Sequence, residues 1–406
     1  MKYKLLKDLY YTDKEDYEKE YVHRLNSEFT YHIDININGN DAFFFTQPYL
    51  FEQINKMIKK DCELVFLCRQ LPGVAIDHFI RKSLIGEIVG TNDIEQVHSS
   101  RSEISEFFEL SEKKAKNNRF RDIIKRYDLL GQEQYELKTC SDIRSIYDNL
   151  LYEEIKDESP NDLPDGEFFR NSYVNIHTAT DKVIHKGITP ESKIIDYMTK
   201  SLQFLNNEEI NIFFRIAIFH YLFGYIHPFY DGNGRMSRFI SSALLYKNMS
   251  AYIIAYRLST TIKENKTQYY KAFEECNDPK NKGDLTPFIY MFFEIILKSM
   301  NNLEITLTKK CDKLSYYEQK IPFLPNSNNK NSHKIYYLLI QASLFSEKGI
   351  RKKEMSSVLA INQVTLNNYF KNIPDEFLNI KISNRTHFFS LNLDKFDSLI
   401  EENSSQ

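Results

Sequence analysis

The stretch from Ile210 to Ile226 (INIFFRIAIFHYLFGYI) constrains the fold more than any other part of the chain, because its apolar residues run almost without a break. It falls about three residues short of the roughly twenty that span a bilayer, and it carries Arg215 and His220. A helix that is apolar on every side must be wrapped by other elements, so this one reads as the centre of a core. Apolar residues recur at three- and four-residue spacing in Ser83–Ile94, Lys193–Leu205, Arg235–Lys247 and Leu285–Met300 as well. The chain has only 12 Gly and 11 Pro among 406 residues, about 3% of each against roughly 7% and 5% in average usage. Chain breaks are therefore scarce, and a mostly α-helical fold is expected.

Two stretches depart from helical spacing. Thr30–Asn38 alternates Tyr31, Ile33, Ile35 and Ile37 with polar residues, Asn38-Gly39-Asn40 supplies a turn, and Ala42–Thr46 makes a second strand. Residues 1–80 thus read as an N-terminal α+β appendage to a helical domain over 81–315. Inside that domain, Tyr173–Gly187 alternates again on either side of Thr178–Asp181 and reads as a β-hairpin. Pro322–Ser332 (PFLPNSNNKNS) has almost nothing to bury and reads as a linker to a small domain over 333–400.

Lys and Arg total 53 and Asp and Glu 56, so the net charge of −3 offers no global attraction for nucleic acid or anionic lipid. Such a partner has to be met locally. Cys62, Cys68, Cys140, Cys276 and Cys311 form an odd set without a C-x-x-C pair, which indicates neither a disulfide framework nor a zinc knuckle. The N-terminus MKYKLLKDLYYTDKED turns charged before it can supply a signal-peptide core. A reducing cytoplasm is the expected compartment, with no membrane partner.

Chemistry concentrates in His227–Arg238, HPFYDGNGRMSR. Pro228 lacks an amide proton and disfavours helix in the residue before it, so the apolar helix ends at His227. Gly232, Asn233 and Gly234 form a turn whose glycines allow positive φ and a close approach of an anion. A new helix follows, with free amides and a positive dipole end facing the same space. Arg235 and Arg238, three apart on that helix, can grip successive phosphates, and Asp231 is a hard oxygen ligand suited to Mg²⁺. A histidine, with an unperturbed pKa of about 6.5, can accept a proton at neutral pH, which makes His227 the candidate base.

This run resembles the signature of the Fic family, H-x-F-x-(D/E)-G-N-G-R-x-x-R, and every defined position matches. The resemblance extends roughly over residues 30–300. It implies a helical Fic (Fido) fold with a β-hairpin flap over the active site, and transfer of AMP from ATP to a Tyr, Ser or Thr hydroxyl of a target protein. Carried over, His227 would deprotonate the target hydroxyl and Asp231 would hold Mg²⁺ between the phosphates. Gly232, Asn233 and Gly234 would form the anion hole, with Met236 and Ser237 in the same phosphate-binding run, and Arg235 and Arg238 would bind the distal phosphates. Tyr269, Tyr270 and Asn277 sit where relatives contact adenosine. Ile184, His185, Lys186 and Gly187 correspond to the flap, which pairs backbone to backbone with the target.

Thr91 and Glu95, four apart and so on one helical face, lie in TNDIEQ. That segment resembles the inhibitory (S/T)-x-x-x-E-(G/N) motif that some Fic proteins carry upstream in the same chain, with Gln96 departing from Gly or Asn. In the family this Glu pairs with the second motif Arg, here Arg238, and keeps the γ-phosphate out. In some relatives it serves instead in hydrolytic removal of AMP, an alternative for the same site.

After the linker, His333–Phe345, Gly349–Ala360 and Val364–Asn372 are helical patterns, and Leu378–Ile382 and His387–Leu391 alternate around Ser383-Asn384-Arg385. This order resembles a winged helix. Residues 333–406 hold nine Lys or Arg against eight Asp or Glu, and the candidate recognition helix has only Lys371. Arg351, Lys352 and Lys353 precede the supporting helix. DNA contact is thus weakly supported beside protein docking or self-association, and a DNA-binding regulator with a nucleotide-sensing Fic core is the rival reading. The sequence leaves the target, self-modification and oligomeric state open.

Overall fold

The computed structural model describes residues 3–108, 119–132, 135–177 and 183–404, with the backbone alone for 175–177, 183–185 and 404. Thr178–Asp181, at the tip of the expected hairpin, lie outside the described residues. The fold is mostly helical. Its N-terminal part contains α1 (Leu6–Thr12), α2 (Lys14–Leu25), the antiparallel pair β1 (Thr30–Ile37) and β2 (Asn40–Phe45), and α3 (Pro48–Gln70). Next come α4 (Gly73–Ile94), α5 (Arg101–Phe107), α6 (Arg121–Asp128), α7 (Cys140–Leu150) and α8 (Tyr152–Glu158). The second antiparallel pair, β3 (Asn175–His177) and β4 (Val183–Lys186), is where alternation predicts a hairpin.

The centre is α9 (Glu191–Leu205), α10 (Ile212–Ile226) and α11 (Asn233–Asn248), followed by α12 (Leu258–Glu264), α13 (Lys266–Asn277) and α14 (Thr286–Lys320). The apolar run becomes α10, buried along nearly its whole length and packed between α9, α11 and α14. His220 is fully buried there, with Nδ1 2.8 Å from Ser241 Oγ and Nε2 2.7 Å from the Tyr269 hydroxyl. Burial drives its pKa down to about 3, so it is a neutral core residue.

The boundaries expected at residues 80 and 315 fall inside α4 and α14, and residues 1–80 are mainly helical rather than one helical stretch among strands. Ile33, Ile35, Ile37 and Phe44 of the first hairpin join the one large core that continues to Ile400, whereas Leu6, Leu9 and Tyr17 form a separate small cluster. The hairpin is held by backbone as well: Phe43 N donates to Gly283 O at 3.0 Å and Leu285 N to Phe43 O at 2.8 Å. Beside it, Arg24 reaches Asp284 at 3.1 Å, both side chains at most 2% exposed.

The expected linker also differs. Leu324 and Ser327 are buried, and the Tyr336 hydroxyl donates to Pro325 O at 2.8 Å. Asn329 is a helix cap, its Oδ1 accepting from Asn331 N at 2.8 Å and Ser332 N at 3.0 Å, so α15 (Lys330–Phe345) starts inside the Asn/Ser run. Short polar residues favour caps as much as linkers, which is why composition misleads there. Beyond it lie α16 (Lys352–Leu359), α17 (Gln363–Phe370), the antiparallel pair β5 (Leu378–Ser383) and β6 (Thr386–Leu391), and an unanticipated α18 (Leu393–Ser404). Asn384 and Arg385 take φ of 49° and 62°, the mirror-image turn that a two-residue hairpin requires. α15 packs on α4, and Arg101 Nε pairs with Glu347 at 2.6 Å.

Candidate active site

The loop between α10 and α11 is shaped by its own sequence. α10 stops at Ile226, one residue before the expected end, and His227 turns into the left-handed region with φ 53°. A non-glycine residue there is uncommon and is held by its surroundings. Buried Arg170 provides much of that hold: its Nε donates to His227 O at 2.9 Å and its Nη2 to Ile188 O at 2.9 Å. The same guanidinium fills the space beside Gly187, where any β-carbon would collide with it. One side chain thus joins the base of the second hairpin to the motif histidine. The Gly224 carbonyl, 3.3 Å from His227 Nδ1, can only accept, so Nδ1 carries the proton and Nε2 is the basic nitrogen.

Phe229 anchors the loop, fully buried and stacked on Tyr147 at 3.9 Å between ring centres. Asn233 clasps it from the other side, accepting from Phe229 N at 2.9 Å and donating to Phe229 O at 2.8 Å. The side chain of Asn233 is therefore spent on the loop, and what it leaves for an anion is its backbone amide. Gly232 has φ 83° and packs so closely on Leu151 that a side chain would not fit. The amides of Asn233, Gly234 and Arg235, the first turn of α11, have no acceptor within the helix. Met236 is buried and gives its amide to Gly232 O at 2.9 Å, and Ser237 turns its hydroxyl to Gly234 O at 3.0 Å, so neither side chain faces the cradle.

Glu95 lies across that turn. Its carboxylate sits where a β-carbon on Gly234 would be, and its Oε1 accepts from Arg238 Nη2 at 2.8 Å. Thr91 holds Arg238 from behind, accepting Nε on its hydroxyl at 2.8 Å and Nη2 on its carbonyl at 3.1 Å. Burial pushes the Glu95 carboxyl upward, but the Arg238 charge and hydrogen bond outweigh it and leave the group below its ordinary range. Glu95 caps the C-terminal end of α4, unfavourable for an anion, and faces the N-terminal end of α11, which favours one. Gln96 follows with φ 62°, taking as a non-glycine residue a conformation that Gly or Asn adopts more readily.

Arg235 does not join Arg238 in the cradle. It is 1% exposed, and its Nη1 donates to Glu154 Oε1 at 2.6 Å and its Nη2 to Asp231 Oδ2 at 3.3 Å. Three-residue spacing predicted a shared face, but the two arginines find different carboxylates, Glu154 on α8 and Glu95 at the C-terminal cap of α4. Glu154 was missed; the available signal is that it lies on the apolar stripe of Leu151 and Ile155, three and four residues being one helical turn. Asp231, half exposed, is held by Arg235 and by the Gly232 amide.

The remaining residues divide. Tyr269 is buried with its hydroxyl on His220, and Asn277 accepts from the Tyr221 hydroxyl at 2.6 Å, so both are engaged in packing. Tyr270 stays partly exposed, its pKa raised by burial and then by the Glu95 charge, which puts it beside the cradle. Lys186 is exposed and Gly187 N donates to Val174 O at 3.0 Å; the Ile184 and His185 side chains lie outside the described residues. In the C-terminal part, Arg351 sits 3.9 Å from Glu354 and Lys352 Nζ donates to Asn367 at 2.9 Å, so two of the three basic residues there have partners within the fold.

Residues 138–245 match the Fic/DOC family. A protein adenylyltransferase Fic of Drosophila mojavensis is 30% identical over 140 residues, 34% of this chain and 24% of that protein. A probable protein adenylyltransferase of Aquifex aeolicus is 36% identical over 73 residues, 18% of this chain and 20% of the relative. The chain thus spans a quarter or less of the curated relatives it matches. The crystal structure of a Fic family protein from Desulfovibrio desulfuricans superposes with a TM-score of 0.53 over 86% of this chain and 97% of that one, at 18% identity, which shows a shared fold.

Proposed function

We propose that the chain, whose residues 138–245 match the Fic/DOC family, is a protein adenylyltransferase held back by its own Glu95. The observation that carries this reading is the Glu95 carboxylate lying on the first turn of α11 against Arg238, in the place of an anionic ligand. A carboxylate and a phosphate compete for the same guanidinium and the same amides.

In the forward reaction, ATP lays its phosphates along the Asn233–Arg235 amides, with Arg238 meeting the distal phosphate once Glu95 withdraws. His227 Nε2 takes the proton of the target hydroxyl, whose oxygen bonds to the α-phosphorus while the bond to the β-phosphate oxygen breaks and pyrophosphate leaves. Among the described residues no group of three or more His, Cys, Asp or Glu forms a metal cage. A single half-exposed carboxylate fits Mg²⁺ carried by phosphates, which needs only one or two protein oxygens, and Asp231 would hold it. A cation held there would supply charge neutralisation for the departing pyrophosphate. The strand Val183–Lys186 offers the edge for target pairing.

The five cysteines are unpaired, which supports a reducing compartment, and no described helix is long and apolar enough to cross a membrane. Exposed Val358, Val364, Ile380 and Ile382 favour protein docking over DNA reading for the C-terminal part.

Incubating the Glu95→Gly protein with labelled ATP, Mg²⁺ and a bacterial lysate tests the proposal. AMP-modified Tyr, Ser or Thr, identified by mass, is the expected product, on a target or on the protein itself. Label-free lysate with a folded variant overturns transferase activity, whereas Glu95-dependent release of AMP from a modified target would assign the reverse hydrolysis.

A further inference from the structure

Glu154 has no place in the reaction above, yet it is one of the most buried carboxylates in the protein. Its side chain is 4% exposed, it pairs with Arg235 at 2.6 Å, and its Oε2 has no partner among the described residues. Burying a charge pair this deeply is costly and demands a partner of good geometry. Arg235 has no other task in the cradle: its guanidinium is divided between Glu154 on α8 and Asp231 in the loop. The contact to Glu154 is the shorter by 0.7 Å (3.3 − 2.6). Arg235 is thus largely neutralised from behind, and its second nitrogen only steadies the Asp231 carboxylate.

We infer that Glu154 is a positioning residue for the divalent cation: by drawing the Arg235 charge to itself, it leaves the Asp231 carboxylate oriented yet only partly neutralised toward the nucleotide. Two carboxylates around one guanidinium leave a net negative charge, which a cation can meet. With Glu154 neutralised, the full Arg235 charge turns to Asp231 and opposes the cation. The adjoining side chains support this division of labour, since Leu151, the residue before α8, and Ile155 on it pack under Gly232 and fix α8 against the loop. The inference rests on Asp231 as the cation's anchor, and the experiment separates the two.

In the full chain carrying Glu95→Gly, Mn²⁺ binding is measured by electron paramagnetic resonance in the presence of a non-hydrolysable ATP analogue. Analogue affinity in EDTA and the melting temperature are measured alongside. Glu154→Gln is expected to weaken Mn²⁺ binding about tenfold, as loss of a nearby compensating charge implies, with metal-free analogue affinity unchanged. Glu154→Asp, which keeps the charge, restores most of the loss. Mn²⁺ affinity that is unchanged in Glu154→Gln while Asp231→Asn weakens it overturns the role of Glu154 alone. Unchanged affinity in Asp231→Asn overturns the anchor itself. A lowered melting temperature with normal Mn²⁺ affinity in both Glu154 variants reduces the residue to a structural one and likewise overturns the inference.

Discussion

Arg238 is gripped by Thr91 and Glu95 together, through Nε to the Thr91 hydroxyl at 2.8 Å and Nη2 to the Glu95 carboxylate at 2.8 Å. The contact is part of a longer seam. Glu87, Thr91 and Glu95 recur every four residues along α4, and Gly234, Arg238 and Ser242 every four along α11. The two rows meet antiparallel, with Ser242 Oγ 3.5 Å from Glu87 at the far end and Gly234 under Glu95 at the near end. Glu95 is therefore the last of three polar positions on one helix face, and the helix that leads to it is clamped along its length.

Removing the last position frees the cradle without disturbing the rest. Glu95→Gly is expected to raise AMP transfer at least about tenfold, equivalent to roughly 1.4 kcal/mol in the barrier. Initial rates with labelled ATP check this, and an unchanged rate in a folded variant removes inhibition from the account.

In the proposed mechanism His227 handles the proton rather than the nucleotide. In the Glu95→Gly background, His227→Ala should lose transfer by a factor of about 10²–10⁴ while ATP affinity, read by calorimetry, stays near that of the parent. Transfer that persists would refute the base assignment.

Glu87 gives the seam an unusual pH dependence. It is fully buried, accepts the Ser259 amide at 2.8 Å, and faces Arg238, Arg257 and Tyr127. Burial pushes its pKa from 4.5 up to about 7. Between those values the folded chain keeps a proton that the unfolded chain has released, so this group's contribution to stability is full below 4.5 and declines as pH rises to about 7. Denaturant unfolding of wild type and Glu87→Gln from pH 4 to 8 should show the wild type losing ground over that window; parallel curves would exclude the titration.

Gln96 sits exposed with φ 62°, a conformation that costs a side-chain-bearing residue about 1–2 kcal/mol. Gln96→Gly relieves that cost but frees the unfolded chain, so a net gain of about 0.5–1 kcal/mol is expected. Chemical denaturation measures it, and a loss of stability would show that the glutamine is not strained.

Local chemistry was legible because it is local. Twelve consecutive residues specify a helix end, a glycine turn and a helix start, and Thr91 and Glu95 announce a shared face by spacing alone. The seventeen-residue apolar run announces its own burial, and alternation announces both early hairpins. What failed depended on partners distant in the chain. Arg235 and Arg238 have equal claims on a phosphate in the sequence, yet Glu154, 81 positions away, takes one of them. Arg170, 57 positions from His227, looks like any surface arginine until its guanidinium is seen among backbone carbonyls. The linker and the limits at 80 and 315 failed for a related reason, since a polar run that caps a helix has the composition of one that connects domains.

The sequence by itself determined the helical class, the buried central helix and the inventory of polar and charged groups in the loop between α10 and α11, all of which follow from spacing within one or two turns. Only the tertiary structure decided which charges neutralise one another, because a guanidinium chooses its carboxylate by distance and burial, and both are set by how separate helices pack.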